Sequence, residues 1–211
     1  MTELEMEMYE RPVRVMAAVP VAGMPQPLFV ETLFRVCRHV RKWCDMDVRL
    51  FRGYSCEMAR NMAVEEFLKT DADYLWMVDD DTALADDTLE RLVEAGADIV
   101  SAICFRKLDG VEDRVAEVFR SRGDGEVENY TESQLPEGVF EVEIAGGGCI
   151  LIRREVIGRC AEVSDGGRVF VYQHDPLISE DFWFCNLAHA LGYRIMAHSG
   201  AKVGHIGTTV Y

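Results

Sequence analysis

The stretch DADYLWMVDDDT, Asp71 to Thr82, drives an apolar run ending in Met77 and Val78 into Asp79, Asp80 and Asp81. Adjacent carboxylates repel one another and rise in pKa unless a cation or well-aimed donors neutralise them. A divalent ion is the economical solution, and oxygen donors suit Mg²⁺ or Mn²⁺. An EF-hand reading of the same residues fails. Counted from Asp79, position 6 is Leu84 where the sharp turn needs glycine, and an apolar strand precedes the loop where a helix should stand.

Other residues could join such a centre. His205 lies between Gly204 and Gly207, where the backbone could approach a ligand closely and a neutral imidazole could bind metal. Glu180 and Asp181 fall in the first turn of an expected helix, a place that helix capping alone explains and that equally suits a general base. Arg60 and Asn61 sit off the helix face carrying Ala59, Ala63 and Phe67, so Arg60 is either an ordinary surface arginine or a planar donor to a diphosphate or base. Gly146 to Gly148 precede an apolar run, as a bulge or as room for a sugar.

The elements that must place these residues alternate. VRVMAAVP from Val13 reads as a strand, and Leu28 to Cys44 reads as an amphipathic helix with Val30, Leu33, Cys37 and Val40 on one face. DVRLF is a second strand, a helix capped by Ser55 follows, and DYLWMVDDD is a third strand. A helix capped by Asp86 or Asp87 and stopped by Gly96 leads to a fourth strand, ADIVSAICF. Such alternation implies β-α-β crossovers, a mainly parallel sheet, and a site beyond the carboxyl ends of its strands, where Asp79 to Asp81 emerge. The polar segment Lys107 to Pro136 is expected to form an exposed hairpin or excursion without chemistry. Two strands flanking the glycines, a short helix, a serine-capped helix in SEDFWFCNLAHALGYRI and a last strand complete the chain. The segment from Ala201 to Tyr211, which carries glycines near the end of the sequence, is expected to be mobile until the site is filled.

Composition narrows the partners. Formal net charge is −15, so there is no basic field for nucleic acid or anionic lipid, and an anionic ligand would require a metal ion or placed arginines. Seven cysteines form no C-x-x-C pair and read as buried hydrophobes in a reducing compartment. No apolar run reaches the roughly 20 residues of a membrane span, and the acidic start MTELEMEMYE is unlike a signal peptide. These features point to a cytoplasmic protein of one domain.

Taken in order, ARNMAVEEFL, YLWMVDDDT, AGGGCILIRREVI, SEDFWFCNLAHALGYRI and VGHIG resemble the small family-2-like glycosyltransferases of the glycosyltransferase-A fold, over about Val13 to Gly207. The resemblance implies one Rossmann-like domain whose central sheet is mainly parallel and flanked by helices, with a small antiparallel element. Residues 12–104 would bind metal and nucleotide sugar, and 105–211 would bind the acceptor and cap the metal. It further implies Mn²⁺ or Mg²⁺ held by Asp81 and His205, with Asp79 on the metal shell or the ribose and Asp80 beside it. Val19 and Pro20 would border a UDP- or GDP-sugar, Arg60 would lie near its base or diphosphate, and Asp181, or Glu180 in its place, would deprotonate a saccharide or other acceptor hydroxyl with inversion. A nucleotidyltransferase is the main rival, although VPVAGMPQP lacks the basic residues of a phosphate loop. A non-catalytic sugar- or metal-binding module is the other.

Overall fold

The computed structural model describes residues 11–106, 112–123 and 125–207. Strands β1 (Val13–Val21), β2 (Cys44–Arg52), β3 (Tyr74–Val78) and β4 (Thr82–Ala83) alternate with helices α1 (Pro27–Val40), α2 (Cys56–Leu68) and α3 (Thr88–Glu94). Then follow β5 (Ile99–Cys104), β6 (Val115–Ser121), β7 (Val127–Thr131), β8 (Val139–Val142), β9 (Ile144–Ala145), β10 (Cys149–Arg153) and α4 (Arg154–Val163). The small hairpin β11 (Gln173–His174) and β12 (Leu177–Ile178), helix α5 (Glu180–Ala190) and β13 (Ile195–His205) end the order.

The main sheet runs β2-β1-β3-β10-β5-β13-β4, with β8 also paired to β13. Strands β2, β1, β3, β5 and β13 share one direction, while β10 runs antiparallel between β3 and β5. This is a Rossmann-like α/β fold, mostly parallel, with a small antiparallel sheet of β7, β6 and β9 beside it. Residues on both sides of position 104 build the same main sheet, because β10 and β13 from the second half pack against β3 and β5 from the first.

Alternation along each strand divides the core. In β3, Leu75 and Met77 face α2, α4 and α5, whereas Trp76 and Val78 face α1 and α3. Both faces are covered by helices, so every residue of β3 is buried and the run reads as continuously apolar. Helix α1 opens with Pro27 in its first turn and buries Phe29, Thr32, Val36 and Val40, a stripe rotated from the expected one. The buried Thr32 hydroxyl supports that rotation by donating to the Phe29 carbonyl and accepting from the Leu84 amide. Ser55 caps α2 as expected, its hydroxyl accepting the Met58 amide at 3.1 Å. Asp87 occupies the N-cap position of α3 but spends its carboxylate on Arg91 at 2.7 Å.

Two expectations are revised. The segment Lys107 to Pro136 contains the β6–β7 hairpin, yet Ala116, Val118 and Phe119 are buried rather than exposed; residues 107–111 and 124 lie outside the described residues. The chain from Ala201 to Gly207 is no free tail. Through His205 it is strand, paired with β5 on one side and with β4 on the other, and the Ile206 amide donates to the Asp81 carbonyl at 2.7 Å. The remainder of that expectation, 208–211, lies outside the described residues.

Leu75 is fully buried at the centre of β3, the strand that carries the acidic turn. Leu75→Ala should cost about 2–5 kcal/mol in urea unfolding monitored by tryptophan fluorescence. A loss below about 1 kcal/mol would mean that the strand is not anchored as described.

Candidate functional site

The strand order places a topological switch between β1 and β3: the connection from β1 leads out to β2, and β3 lies on the other side. A cleft of about 350 Å³ opens at the carboxyl ends of these strands, the usual ligand position in such sheets. Its walls include Pro20 and Val21 from the end of β1, Tyr54 and Cys56 from the turn into α2, and Asp79 to Asp81. Val19 does not line it. That side chain is fully buried in the core beneath α1, one residue short of the cleft.

Arg60 is neither a surface arginine nor an open donor. It is 2% exposed, on the buried face of α2 with Ala59, Ala63, Val64 and Phe67. One Nη donates to Asp79 Oδ1 at 2.9 Å and the other to the Gly147 carbonyl at 2.9 Å. Nε faces Cys56 Sγ at 3.1 Å and Glu180 Oε1 at 3.4 Å. Burial opposes the charge, but Asp79, Cys56, Glu180 and Asp181 outweigh it and hold the guanidinium above its ordinary pKa. Each of its three nitrogens is thus occupied within the protein, and the sequence missed this because a buried arginine is legible only through its partners.

The glycine run follows from Arg60. A Cβ on Gly147 would lie 2.6 Å from one guanidinium nitrogen and 2.7 Å from its carbon, and a Cβ on Gly146 would lie 3.1 Å from the Glu117 backbone carbonyl. The close approach these residues permit is therefore first one of protein to protein. Gly148 accepts the Asp79 amide at 3.0 Å, tying the acidic turn to the entry of β10.

Asp79 carries the resulting tension. Burial pushes its carboxyl up to about 6; Arg60 pulls down against this, while Asp81, Glu180 and Glu117 push further up. Its side chain keeps 31% accessibility on the cleft it lines. Asp80 is also raised, by burial first and then by Asp81, and its carbonyl accepts the Gln26 amide. Asp81 faces His205, with Oδ2 3.2 Å from Nε2, while His205 Nδ1 lies 3.3 Å from the Phe105 carbonyl. A carbonyl and an ionised carboxylate both only accept, so a single ring proton serves only one of these two contacts. Donors at right angles on an octahedral ion with bonds near 2.1 Å stand roughly 3 Å apart, so Asp81 and His205 fit one hard divalent ion.

Helix α5 brings Glu180 and Asp181 to the same place. Ser179 occupies the N-cap position, but its hydroxyl donates to Asp181 Oδ1 instead of capping the helix, and the same oxygen accepts the Phe182 amide at 2.8 Å. Asp181 Oδ2 has a long contact of 3.4 Å with the Gly147 amide. Asn61 turns away from the cleft, accepting the Val169 and Phe170 amides and fixing the chain that leads toward α5.

Two further residues belong to the centre and were not foreseen. Glu117 on β6 and Cys104 at the end of β5 each place a donor atom within 4.8 Å of the other and of a His205 ring nitrogen. For Glu117 the available signal was a charge between the apolar Ala116 and Val118 in a strand pattern; for Cys104 there was only its position at a strand's carboxyl end.

Removing Arg60 should leave the acidic group uncompensated. We expect Arg60→Met to cost about 3 kcal/mol in urea unfolding at pH 8 without divalent ions, at the lower end for a broken buried pair because Asp79 is partly accessible. The sign with pH follows from Asp79. A raised folded-state pKa means that the native protein holds its proton more tightly, so this group's contribution to stability is retained below about pH 4 and lost as pH rises through about 6. The variant's deficit should therefore shrink at pH 5, and a deficit equal at both pH values would refute the electrostatic account.

No family model and no curated protein sequence matches the chain. Solved structures do resemble it. The crystal structure of A197 from STIV superposes with a TM-score of 0.62 at 21% identity, covering 92% of this chain and 86% of that one. UDP-glucose pyrophosphorylase complexed with UDP-glucose superposes with a TM-score of 0.51 at 12% identity, covering 91% and 93%. At such identities the likeness establishes the α/β fold that frames the cleft.

Proposed function

We propose that this protein is a metal-dependent glycosyltransferase that moves a sugar from a nucleoside-diphosphate sugar to an acceptor hydroxyl with inversion, as its motif resemblance implies. The observation that carries the reading is the grouping around the acidic turn: Asp79 and Asp81 line the cleft, His205 meets Asp81, and Glu180 and Asp181 reach Arg60 and Gly147 beside Asp79. The neighbour whose structure contains UDP-glucose supports a nucleotide-sugar ligand for this fold.

On this reading Asp81 and His205 hold Mn²⁺ or Mg²⁺, with Asp79 beside them. The ion supplies Lewis-acid stabilisation of the charge that grows on a departing diphosphate. Pro20, Val21 and the turn at Tyr54 border the nucleotide. Arg60 acts indirectly, by fixing Asp79 and Glu180, because its nitrogens are already committed. Asp181 is the better placed base: Glu180 faces Arg60, whereas among the described residues Asp181 Oδ2 has a single long contact of 3.4 Å, with the Gly147 amide. The acidic surface is compatible with an anionic donor because the cation provides the local positive field.

The likeness to a pyrophosphorylase favours one second reading, a nucleotidyltransferase acting on a sugar phosphate. The segment Pro20 to Pro27 has no lysine or arginine to hold a triphosphate, which weighs against it.

The two separate in one assay. Incubated with a panel of UDP- and GDP-sugars and Mn²⁺, the protein should slowly release nucleoside diphosphate. Asp81→Ala should reduce that rate about 100-fold or more, the scale of losing a principal electrostatic contact in a transition state. Asp181→Asn should slow transfer while leaving nucleotide affinity near that of the parent. Release of nucleoside triphosphate only when pyrophosphate is added would instead establish the nucleotidyltransferase, and tight binding without any turnover would establish a binding module.

A further inference from the structure

The donors around His205 are not all hard. Cys104 ends β5, is 6% exposed, and lies level with Val203 of β13, two residues before His205. Its thiol meets the Glu117 carboxylate, and one donor atom from each of Cys104, Glu117 and His205 falls within 4.8 Å of the other two. Gly148 stands over the group: a Cβ there would sit 3.8 Å from Cys104 Sγ and 3.7 Å from Asp79 Oδ2. His205 Nε2 also lies 3.2 Å from Asp81 Oδ2, so a further carboxylate borders the group.

We propose that Cys104 and Glu117 join His205 as donors in a sulfur-containing shell, so that His205 can also serve a thiophilic divalent ion of the zinc or cobalt class, held more tightly than the Mn²⁺ or Mg²⁺ of the proposed transfer. A thiolate, an imidazole and a carboxylate form the mixed set that suits such ions, whereas Mg²⁺ takes oxygen donors almost alone. A tetrahedral ion with bonds of about 2.0–2.3 Å spaces its donors roughly 3.3–3.8 Å apart, so a small inward movement of the three side chains fills three of its four positions and leaves the fourth for water or substrate. Binding converts the thiol to thiolate and releases its proton to solvent, with the ion replacing that proton beside Glu117. The inference rests on the reading that this centre binds a divalent cation, and not on sugar transfer.

Cobalt distinguishes the outcomes, because thiolate ligation gives Co²⁺ an intense near-ultraviolet charge-transfer band that oxygen and nitrogen donors do not. The full chain, stripped with a chelator, is titrated with Co²⁺ and then challenged with Zn²⁺ or Mg²⁺. We expect the band to appear, Zn²⁺ to abolish it at stoichiometric levels, and Mg²⁺ in large excess to leave it. Cys104→Ser should lose the band and weaken Zn²⁺ binding more than about 100-fold, beyond the loss seen on removing an outer-shell partner. Glu117→Gln should weaken Zn²⁺ binding while keeping the band, and Asp81→Ala should also keep it. Equal thermal unfolding of the metal-free variants and parent establishes that they are folded; the parent's own spectrum decides the matter if Cys104→Ser is not. Co²⁺ bound without the band would overturn the sulfur shell and leave the Asp81–His205 centre standing. No Co²⁺ binding at all would overturn both.

Discussion

The buried guanidinium of Arg60 is the interaction on which the site's form depends. Asp79, at the carboxyl end of an all-apolar strand, could not remain there beside Asp81, Glu117 and Glu180 without a fixed positive charge behind it. Arg60 meets that need from α2 and imposes conditions of its own. Its planar head must lie against backbone, which is why Gly147 has no side chain. It also needs a carbonyl acceptor, which Gly147 provides, and it fixes Glu180 at the start of α5. One charge therefore couples α2, β3, the glycine loop and α5.

The antiparallel strand makes this coupling possible. Were β10 parallel to its neighbours, its leading residues would lie at the opposite end of the sheet. Because it runs against β3, Cys149 pairs with Val78, and the preceding glycines fall beside the acidic turn. Strand β13 acts at the same end in the other sense. It runs parallel to β5, then continues past it to pair with β4, so that His205 stands opposite Thr82 and the Ile206 amide ties the end of this strand to the loop carrying Asp81. Residues far apart in sequence reach one cleft because the strand order brings several different ends there.

How much of this could be read from the residues alone varies with the range of the interaction. The apolar strand leading into Asp79, the serine cap of α2 and the alternation that implies a Rossmann-like sheet are local patterns, and they persist in the structure. The burial of Arg60 was hidden because its position on α2 lies between faces: it is adjacent to Ala59 and one turn from Val64, and only the acidic partners decide which way it turns. Glu117 lay in a segment whose polarity suggested solvent, since an alternating strand presents half its residues to something, and the sequence does not say whether that is water or a site. The partnering of His205 depends on an irregularity between His198 and Lys202 that resets the register of β13 against β5, a feature with no sequence periodicity to announce it.

On the proposed reading, the charge balance bears on the order in which ion and nucleotide enter. Ligand-free, the centre sets one guanidinium against several carboxylates, and the chain as a whole carries a net charge of −15. A diphosphate alone would meet repulsion both from the surface and from the cleft wall. A cation relieves both, and linkage makes the relief reciprocal: whatever factor the ion adds to nucleotide affinity, the nucleotide must add to ion affinity. On the proposed reading, a cleft this acidic is thus a conditional site. It is weak for nucleotide alone and stronger once the ion is bound, and Arg60, already committed to Asp79, cannot substitute for the missing charge.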